Sequence, residues 1–84
     1  MEYIKFPTTV KMLHEEIVLA CDDYFARKIG EAELKVLIYH WADNVGELLF
    51  DGPGQYNPTV VQRIGKKRLK LVELMLAGYQ TKLV

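Results

Sequence analysis

Apolar residues recur at the three-to-four-residue spacing of an α-helix in three stretches of this 84-residue chain. Segments that each carry one apolar stripe can bury those stripes only against one another. The stripes are Val10, Leu13, Ile17, Ala20, Cys21, Tyr24 and Phe25; Leu34, Leu37, Ile38, Trp41, Val45 and Leu48; and Val60, Val61, Ile64, Leu71, Val72, Met75 and Tyr79. The pattern predicts an all-α fold, a compact three-helix bundle. Because Pro7 disfavours a helical residue before it, a short extended N-terminal arm precedes the bundle.

Capping residues set the predicted limits of the first two helices. Thr8 or Thr9 suits the N-cap of a helix over about residues 10–29, and Gly30 suits a left-handed C-cap. A second helix over about residues 31–50 follows at once. The tight connection predicts an antiparallel helical hairpin.

The third helix is set off by a loop rich in turn-forming residues, 51–56. Asn57 suits the N-cap, and Pro58 suits the first helical position, where its missing N–H costs nothing. We expect this helix over about residues 58–77, ending at Gly78. All three helices then belong to one domain over residues 1–84.

Composition narrows the class of protein. Half of the residues are hydrophobic, which is ample for one core. The single cysteine, Cys21, excludes an intramolecular disulfide framework and a cysteine-rich zinc module. The N-terminal residues carry charges and no apolar signal segment, and no apolar run is long enough to span a membrane. We therefore expect a cytoplasmic protein without a membrane partner.

Charge is balanced overall and divided along the chain. The net charge is zero, whereas general nucleic-acid-binding domains are strongly basic. Residues 1–50 hold nine acids and five bases, and residues 51–84 hold two acids and six bases. The two halves therefore attract each other, within one molecule or between copies.

Residue types that serve catalysis are present without a catalytic spacing. His14 lacks the second histidine four residues on that a zinc-protease helix needs, and His40 shares a turn with Asp43 and Asn44 but lacks further ligands. Cys21 falls within the first apolar stripe, which predicts a buried thiol and not a nucleophile. The Asp22-Asp23 pair is predicted to be a solvated acidic face. We expect no enzymatic activity, no metal and no cofactor.

The third helix contains five cations in eight residues with no acid among them: Arg63, Lys66, Lys67, Arg68 and Lys70. On a helical wheel all except Arg68 fall in one polar sector. Like charges at i,i+3 and i,i+4 each cost an isolated helix about 0.2–0.5 kcal/mol, and these lie nearer its positive N-terminal end. Something negative is therefore expected nearby.

Two anions satisfy this expectation, and the sequence does not choose between them. One is the set of acids on the first helix, which would form surface ion pairs. The other is a phosphate-bearing ligand at the start of the third helix, where amides left free after Pro58 form an anion site and an aromatic ring would stack a base. The predicted ligand-binding residues are Tyr56, Asn57, Thr59, Arg63, Lys66, Lys67 and Lys70.

Apolar residues also occur on helix faces that a monomer would expose. They form one row on the first helix and one on the second, which favours a homo-oligomer. Arg68 lies at the wheel angle of the apolar face, either reaching outward at the rim or held as a buried, paired or interfacial arginine. The predicted interface residues are Met12, Leu19, Val36, Tyr39, Phe50 and Arg68.

Four short segments carry a resemblance over nearly the whole chain: Pro7-Thr8-Thr9-Val10, Cys21-Asp22-Asp23-Tyr24, Tyr39-His40-Trp41-Ala42, and Asn57-Pro58-Thr59 with Arg63-Ile64-Gly65-Lys66-Lys67-Arg68-Leu69. The chain resembles a family of short uncharacterised proteins of Gram-positive bacteria and their phages or mobile elements. The resemblance implies a phage or prophage origin and no particular mechanism. By analogy, small phage proteins that sequester nucleotide messengers without cleaving them would suit an oligomeric bundle with a phosphate site.

The leading hypothesis is therefore a non-enzymatic protein that captures a phosphate-bearing, nucleotide-type ligand at the basic start of the third helix. A second hypothesis is an inhibitor or adaptor that binds a host protein through the basic face or the spare apolar rows. A third is a DNA-binding regulator, which the zero net charge and the long connection before the third helix both weaken.

Overall fold

Four helices and one two-stranded hairpin make up the part of the chain that the computed structural model describes, residues 2–77. The elements are α1 (Val10–Phe25), α2 (Glu31–Asn44), α3 (Gly46–Leu49), β1 (Phe50–Gly52), β2 (Gln55–Tyr56) and α4 (Pro58–Met75). The prediction of an all-α helical bundle is confirmed. None of the described helices is long and apolar enough to cross a membrane. The predicted core residue Tyr79 and the predicted stop at Gly78 lie outside the described residues.

The core is formed where α1, α2 and α4 meet, with α3 closing one end. Its largest fully buried side chain is Trp41, and burying each such side chain contributes about 1.5–3 kcal/mol. Most of the three predicted stripes is buried, while Val10, Tyr24, Leu48 and Val61 are half-buried and Phe25 is exposed. The buried apolar residues are Leu13, Ile17, Ala20, Cys21, Ile29, Leu34, Leu37, Ile38, Trp41, Ala42, Val45, Leu49, Phe50, Val60, Ile64, Leu71, Val72, Met75 and Leu76.

Helix α1 begins as predicted and ends earlier. The Thr9 hydroxyl accepts a hydrogen bond from the Met12 amide, which makes Thr9 the N-cap. The helix ends at Phe25 because Arg27, not Gly30, takes the left-handed conformation, with φ of 63°. This early turn brings Ile29 into the core, and Gly30 is extended and serves as the N-cap of α2.

Helix α2 also ends early, at Asn44 instead of residue 50. Val45 leaves the helical conformation, with φ of −129° and ψ of 35°, and the chain then forms the single turn of α3. The change of direction buries Val45, Leu49 and Phe50 together. The predicted loop 51–56 contains the antiparallel hairpin of β1 and β2, which pairs Phe50 with Tyr56.

Helix α4 is broken at Gly65. This residue has φ of 84° and ψ of 167°, a combination that is essentially restricted to glycine. The helix therefore consists of two segments, 58–64 and 66–75. An added Cβ at Gly65 would meet no neighbouring atom within 4 Å, so glycine is required by the backbone and not by packing.

Candidate anion-binding site

The first turn of α4 has no amides to spare for a ligand. The Asn57 side-chain oxygen accepts from the amide of Thr59 at 2.8 Å and from that of Val60 at 3.4 Å. The Asn57 carbonyl accepts from the amide of Val61 at 3.0 Å, and Pro58 has no N–H. Asn57 is the N-cap, as predicted. The expectation of free amides after Pro58 was wrong, because the cap itself uses them.

The Gly65 break changes the arrangement of the basic residues. A wheel drawn for one continuous helix placed Arg63 in the same sector as Lys66, Lys67 and Lys70. Because Gly65 interrupts the helix between Arg63 and Lys66, a wheel for one continuous helix does not give the relative directions of these side chains. The cations fall into two groups, one on each segment of α4.

Arg68 is a paired arginine that spans the break. Its Nε and Nη2 atoms donate to the two carboxylate oxygens of Asp22 at 2.9 and 3.0 Å, and Nη1 donates to the Ile64 carbonyl at 3.0 Å. The Arg68 side chain is 33% exposed. This geometry matches the paired alternative for Arg68, and it gives the last carbonyl before Gly65 a hydrogen-bond donor.

Two other acids of α1, Glu16 and Asp23, are buried beneath the N-terminal arm. Glu16 and Asp23 are only 8% and 7% exposed, because the N-terminal arm covers them. The amide of Ile4 donates to Glu16 Oε1 at 2.9 Å, and the Tyr3 hydroxyl donates to Asp23 Oδ2 at 2.5 Å. The prediction that Asp22-Asp23 forms a solvated acidic face was wrong for Asp23, which is buried under the arm, whereas Asp22 is exposed and pairs with Arg68.

Contacts with α2 complete the attachment of the arm. The indole N–H of Trp41 donates to the Ile4 carbonyl at 3.0 Å, and His40 Nε2 donates to the Lys5 carbonyl at 2.9 Å. Burial, the hydrogen bond to Asp23 and the negative charge of Asp23 raise the pKa of the Tyr3 hydroxyl above its usual range. The arm therefore occupies the carboxylates of Glu16 and Asp23 on α1, while α2 holds its backbone.

Four cations of α4 lack a carboxylate partner within residues 2–77. These residues are all exposed, and none has an acidic oxygen within 4.0 Å in that range. One of them, Lys67, lies over the Phe25 ring, with Nζ 4.6 Å from the centroid. The four residues, called the cationic residues below, are Arg63, Lys66, Lys67 and Lys70.

A groove between α1 and the first segment of α4 brings two of the predicted site residues together. It has a volume of about 520 Å³, within the range of small-molecule sites. Thr59 and Arg63 line it from α4. The rest of its lining, which sequence reasoning missed, comes from α1: Val10, Lys11, His14 and Glu15. We call it the α1–α4 groove.

The side chains of Lys11, His14 and Glu15 follow a helical spacing that indicates one face of α1. That face meets Arg63 only because α1 and α4 pack against each other. The sequence alone gives the spacing and not the partner helix. The groove therefore combines two permanent positive charges, an imidazole, a hydroxyl and one carboxylate.

Tyr56 lies apart from this groove. Its half-buried ring packs against Phe50, with 5.4 Å between the centroids, and burial together with the negative charge of Glu73 raises the pKa of its hydroxyl. Lys66 and Lys70 are exposed on the second segment of α4. The seven predicted ligand-binding residues thus occupy three places: the hairpin and cap, the groove, and the second segment.

The predicted interface residues divide in a similar way. Leu19 and Val36 are exposed, whereas Met12 and Tyr39 are half-buried. Phe50 is only 8% exposed, because it belongs to β1 and not to the outer face of a longer α2. Phe50 is thus unavailable to a second copy, and Arg68 is engaged by Asp22.

The two histidines lie in different surroundings. His14 lines the α1–α4 groove, while His40 contacts the arm, Asn44 and the Phe6 ring. Between residues 2 and 77, no three His, Cys, Asp or Glu side chains are grouped so as to hold a metal ion. Cys21 is fully buried, and burial raises the pKa of its thiol to about 12.

Comparison with known proteins identifies a family. A family model described as a conserved hypothetical protein matches residues 4–77. The chain belongs to this family. The match begins at Ile4 within the arm and extends past the end of α4, so the residues that line the α1–α4 groove lie within it. No curated protein and no solved structure matches the chain.

Proposed function

We propose that this protein is a non-enzymatic binding protein that captures a phosphate-bearing, nucleotide-type ligand, with the phosphate in the α1–α4 groove. The observation that carries the proposal is the fate of the acids on α1. Asp22 pairs with Arg68, Glu16 and Asp23 bind the arm, and Glu15 forms no ion pair within residues 2–77, so the cationic residues of α4 have no carboxylate partner there.

The groove offers the chemistry that a phosphate needs. Lys11 and Arg63 supply permanent positive charge, and a guanidinium can bind two phosphate oxygens at once. The Thr59 hydroxyl can donate a further hydrogen bond to a phosphate oxygen. A single carboxylate, that of Glu15, disfavours a bare polyanion and suits a ligand that also carries hydroxyl or amine donors, as a nucleoside does.

The cationic residues outside the groove would act mainly through the electrostatic attraction that they exert on an anionic ligand. Lys66, Lys67 and Lys70 raise the local concentration of an anion and speed its association, an effect that salt weakens. Tyr56 and Asn57 are not part of the phosphate site in this proposal. Asn57 supports it indirectly, since the cap that it forms fixes the position of Thr59.

A biological role follows as a further part of the proposal. A small binder without catalytic residues would sequester a nucleotide messenger, and the resemblance to proteins of phages and mobile elements suits a role against host defence. A homo-oligomer would carry one such phosphate site on each copy.

A thermal-shift screen tests the proposal. The pure protein is heated with ADP, linear and cyclic dinucleotides, ADP-ribose and short single- and double-stranded DNA. A ligand at one hundred times its dissociation constant stabilises the fold by about 2.7 kcal/mol. For a domain of this size, that is a shift on the order of 10 °C.

Two variants and one control localise any shift. Arg63→Gln and Lys11→Gln each remove one charge-assisted contact, worth about 1.5–3 kcal/mol, and should weaken binding at least tenfold. Lys35→Gln removes an exposed charge on α2 and should bind as the parent does. A shift with DNA alone that falls steeply with salt would indicate the DNA-binding alternative. No shift with any compound would overturn the proposal.

A further inference from the structure

A second surface lies where the N-terminal arm packs on α2, and it shares no lining residue with the α1–α4 groove. A groove of about 330 Å³ is found there. It is lined by Tyr3, Lys5, Ala32, Glu33, Val36 and Leu37. We call it the arm–α2 groove.

The margin of this groove is apolar and well exposed. Val36 is 67% exposed and Phe6 is 63% exposed, although both are large hydrophobic residues. The Phe6 ring packs edge-on against His40 at 5.0 Å, and His40 lies one helical turn beyond Val36. The two apolar side chains therefore belong to one continuous strip.

This strip is held in place before any partner arrives. The backbone of the arm is fixed by hydrogen bonds from Trp41 and His40 and to Glu16, and the Tyr3 side chain by its bond to Asp23. Because the arm is already ordered, covering Phe6 does not require a further loss of backbone entropy. An exposed apolar strip on a fixed scaffold is typical of an association surface.

The charges of the groove indicate what covers it. Lys5 and Glu33 both line it, and neither forms an ion pair within residues 2–77. A partner of one charge sign would satisfy one of these groups and oppose the other. A second copy related by a twofold axis would place each Lys5 against the Glu33 of the other chain, so a single pairing would be made twice.

From this complementarity we propose that the arm–α2 groove is the interface of a symmetric homodimer. The net charge of zero leaves no overall repulsion between copies. The strip exposes only two large apolar side chains, Phe6 and Val36, so we expect a weak dimer that forms in the micromolar range. This proposal is independent of the anion site, which lies between α1 and α4.

Charge reversal tests the interface directly. Sedimentation of the full chain is measured between about 10 and 500 µM for the parent, Lys5→Glu, Glu33→Lys and the double variant. Each single change sets like charges opposite each other and should weaken the dimer at least tenfold. The double variant restores both pairs with their signs exchanged and should dimerise as the parent does. A mixture of the two single variants should form mixed dimers.

Controls separate a lost interface from a lost fold. Both side chains are exposed, and His40 uses the Lys5 carbonyl and not its ammonium group, so circular dichroism should be unchanged. Lys28→Glu, an exposed reversal in the turn between α1 and α2, should dimerise normally. The proposal is overturned by a parent that stays monomeric throughout, by dimers that ignore both single reversals, or by a double variant no better than the single ones.

Discussion

The hydrogen bond between Tyr3 and Asp23 gives the sharpest test of how the arm is held. Tyr3→Phe keeps the ring and removes only the hydroxyl that donates to Asp23 Oδ2 at 2.5 Å. The carboxylate is 7% exposed, so water cannot easily replace the lost donor. A hydrogen bond to a charged group is worth about 1.5–3 kcal/mol, which is the expected loss of unfolding free energy.

That loss is large for a domain of this size. At about 4–8 °C per kcal/mol, the melting temperature should fall by roughly 6–24 °C. Thermal unfolding followed by circular dichroism measures it, and urea titration gives the free energy itself. Tyr24→Phe is the matched control. Its ring is half-buried next to Asp23, its hydroxyl has no hydrogen-bond partner within residues 2–77, and its effect should stay within about 0.5 kcal/mol.

A double-mutant cycle attributes the loss to this one contact. When Tyr3→Phe is combined with Asp23→Ala, the double variant should lose less unfolding free energy than the two single variants lose in sum. The difference should be about 1 kcal/mol or more, because the second change removes a contact that is already broken. A Tyr3→Phe protein that melts within about 1 °C of the parent would refute the reasoning. In that case the Tyr3 hydroxyl would not contribute to holding the arm on Asp23.

Three further predictions concern α4 and the buried ionisable groups. Gly65→Ala forces a non-glycine residue into a glycine conformation and should cost about 1–3 kcal/mol by urea titration, whereas a gain near 1 kcal/mol would mean that α4 is continuous. Asp22→Asn breaks a partly exposed ion pair with Arg68 and should cost about 1 kcal/mol in low salt and less in 1 M NaCl; a loss unchanged by salt would contradict this. The raised pKa values of Cys21, to about 12, and Tyr3 mean that the folded state holds these protons more tightly than the unfolded state. The contribution of these two groups to stability should therefore be constant below pH 9 and fall above it, by up to about 1.4 kcal/mol per pH unit for each group, and a urea midpoint that does not fall between pH 9 and 11 would contradict the assignment.

Local signals in the sequence were enough to predict where the helices begin. Thr9 and Asn57 cap α1 and α4 as expected, because an N-cap depends on a side chain and amides only two or three residues away. The apolar stripes likewise identified most of the core. The all-α fold follows from these two signals.

The ends of the helices depended on tertiary packing and were predicted less well. Arg27 takes the left-handed conformation after α1, although a glycine such as Gly30 adopts that conformation at less cost. The helix turns at Arg27 because the early turn buries Ile29. Residue 45 leaves α2 so that Leu49 and Phe50 can enter the core. In each case, burial of an apolar side chain outweighed the local preference of the backbone.

The candidate site was found only in part for the same reason. Arg63 was named from the basic segment and Thr59 from the start of the third helix, but Lys11 and His14 face them only after α1 packs on α4. The break at Gly65 was not predicted, although a glycine within a helical pattern is a signal that could have indicated it. Pairing of Asp23 with Tyr3, 20 residues away, has no local signature.

The central claim is that the α1–α4 groove binds the phosphate of a nucleotide-type ligand. The most direct test is a titration of ¹⁵N-labelled protein with ADP, followed by two-dimensional NMR with assigned amides. The account predicts saturable shifts concentrated at Lys11, His14, Thr59 and Arg63, which need at least tenfold more ADP in Arg63→Gln, while the arm amides do not shift. Shifts confined to Tyr56 and the hairpin, or no shifts at millimolar ADP and with the other nucleotides of the screen, would contradict it.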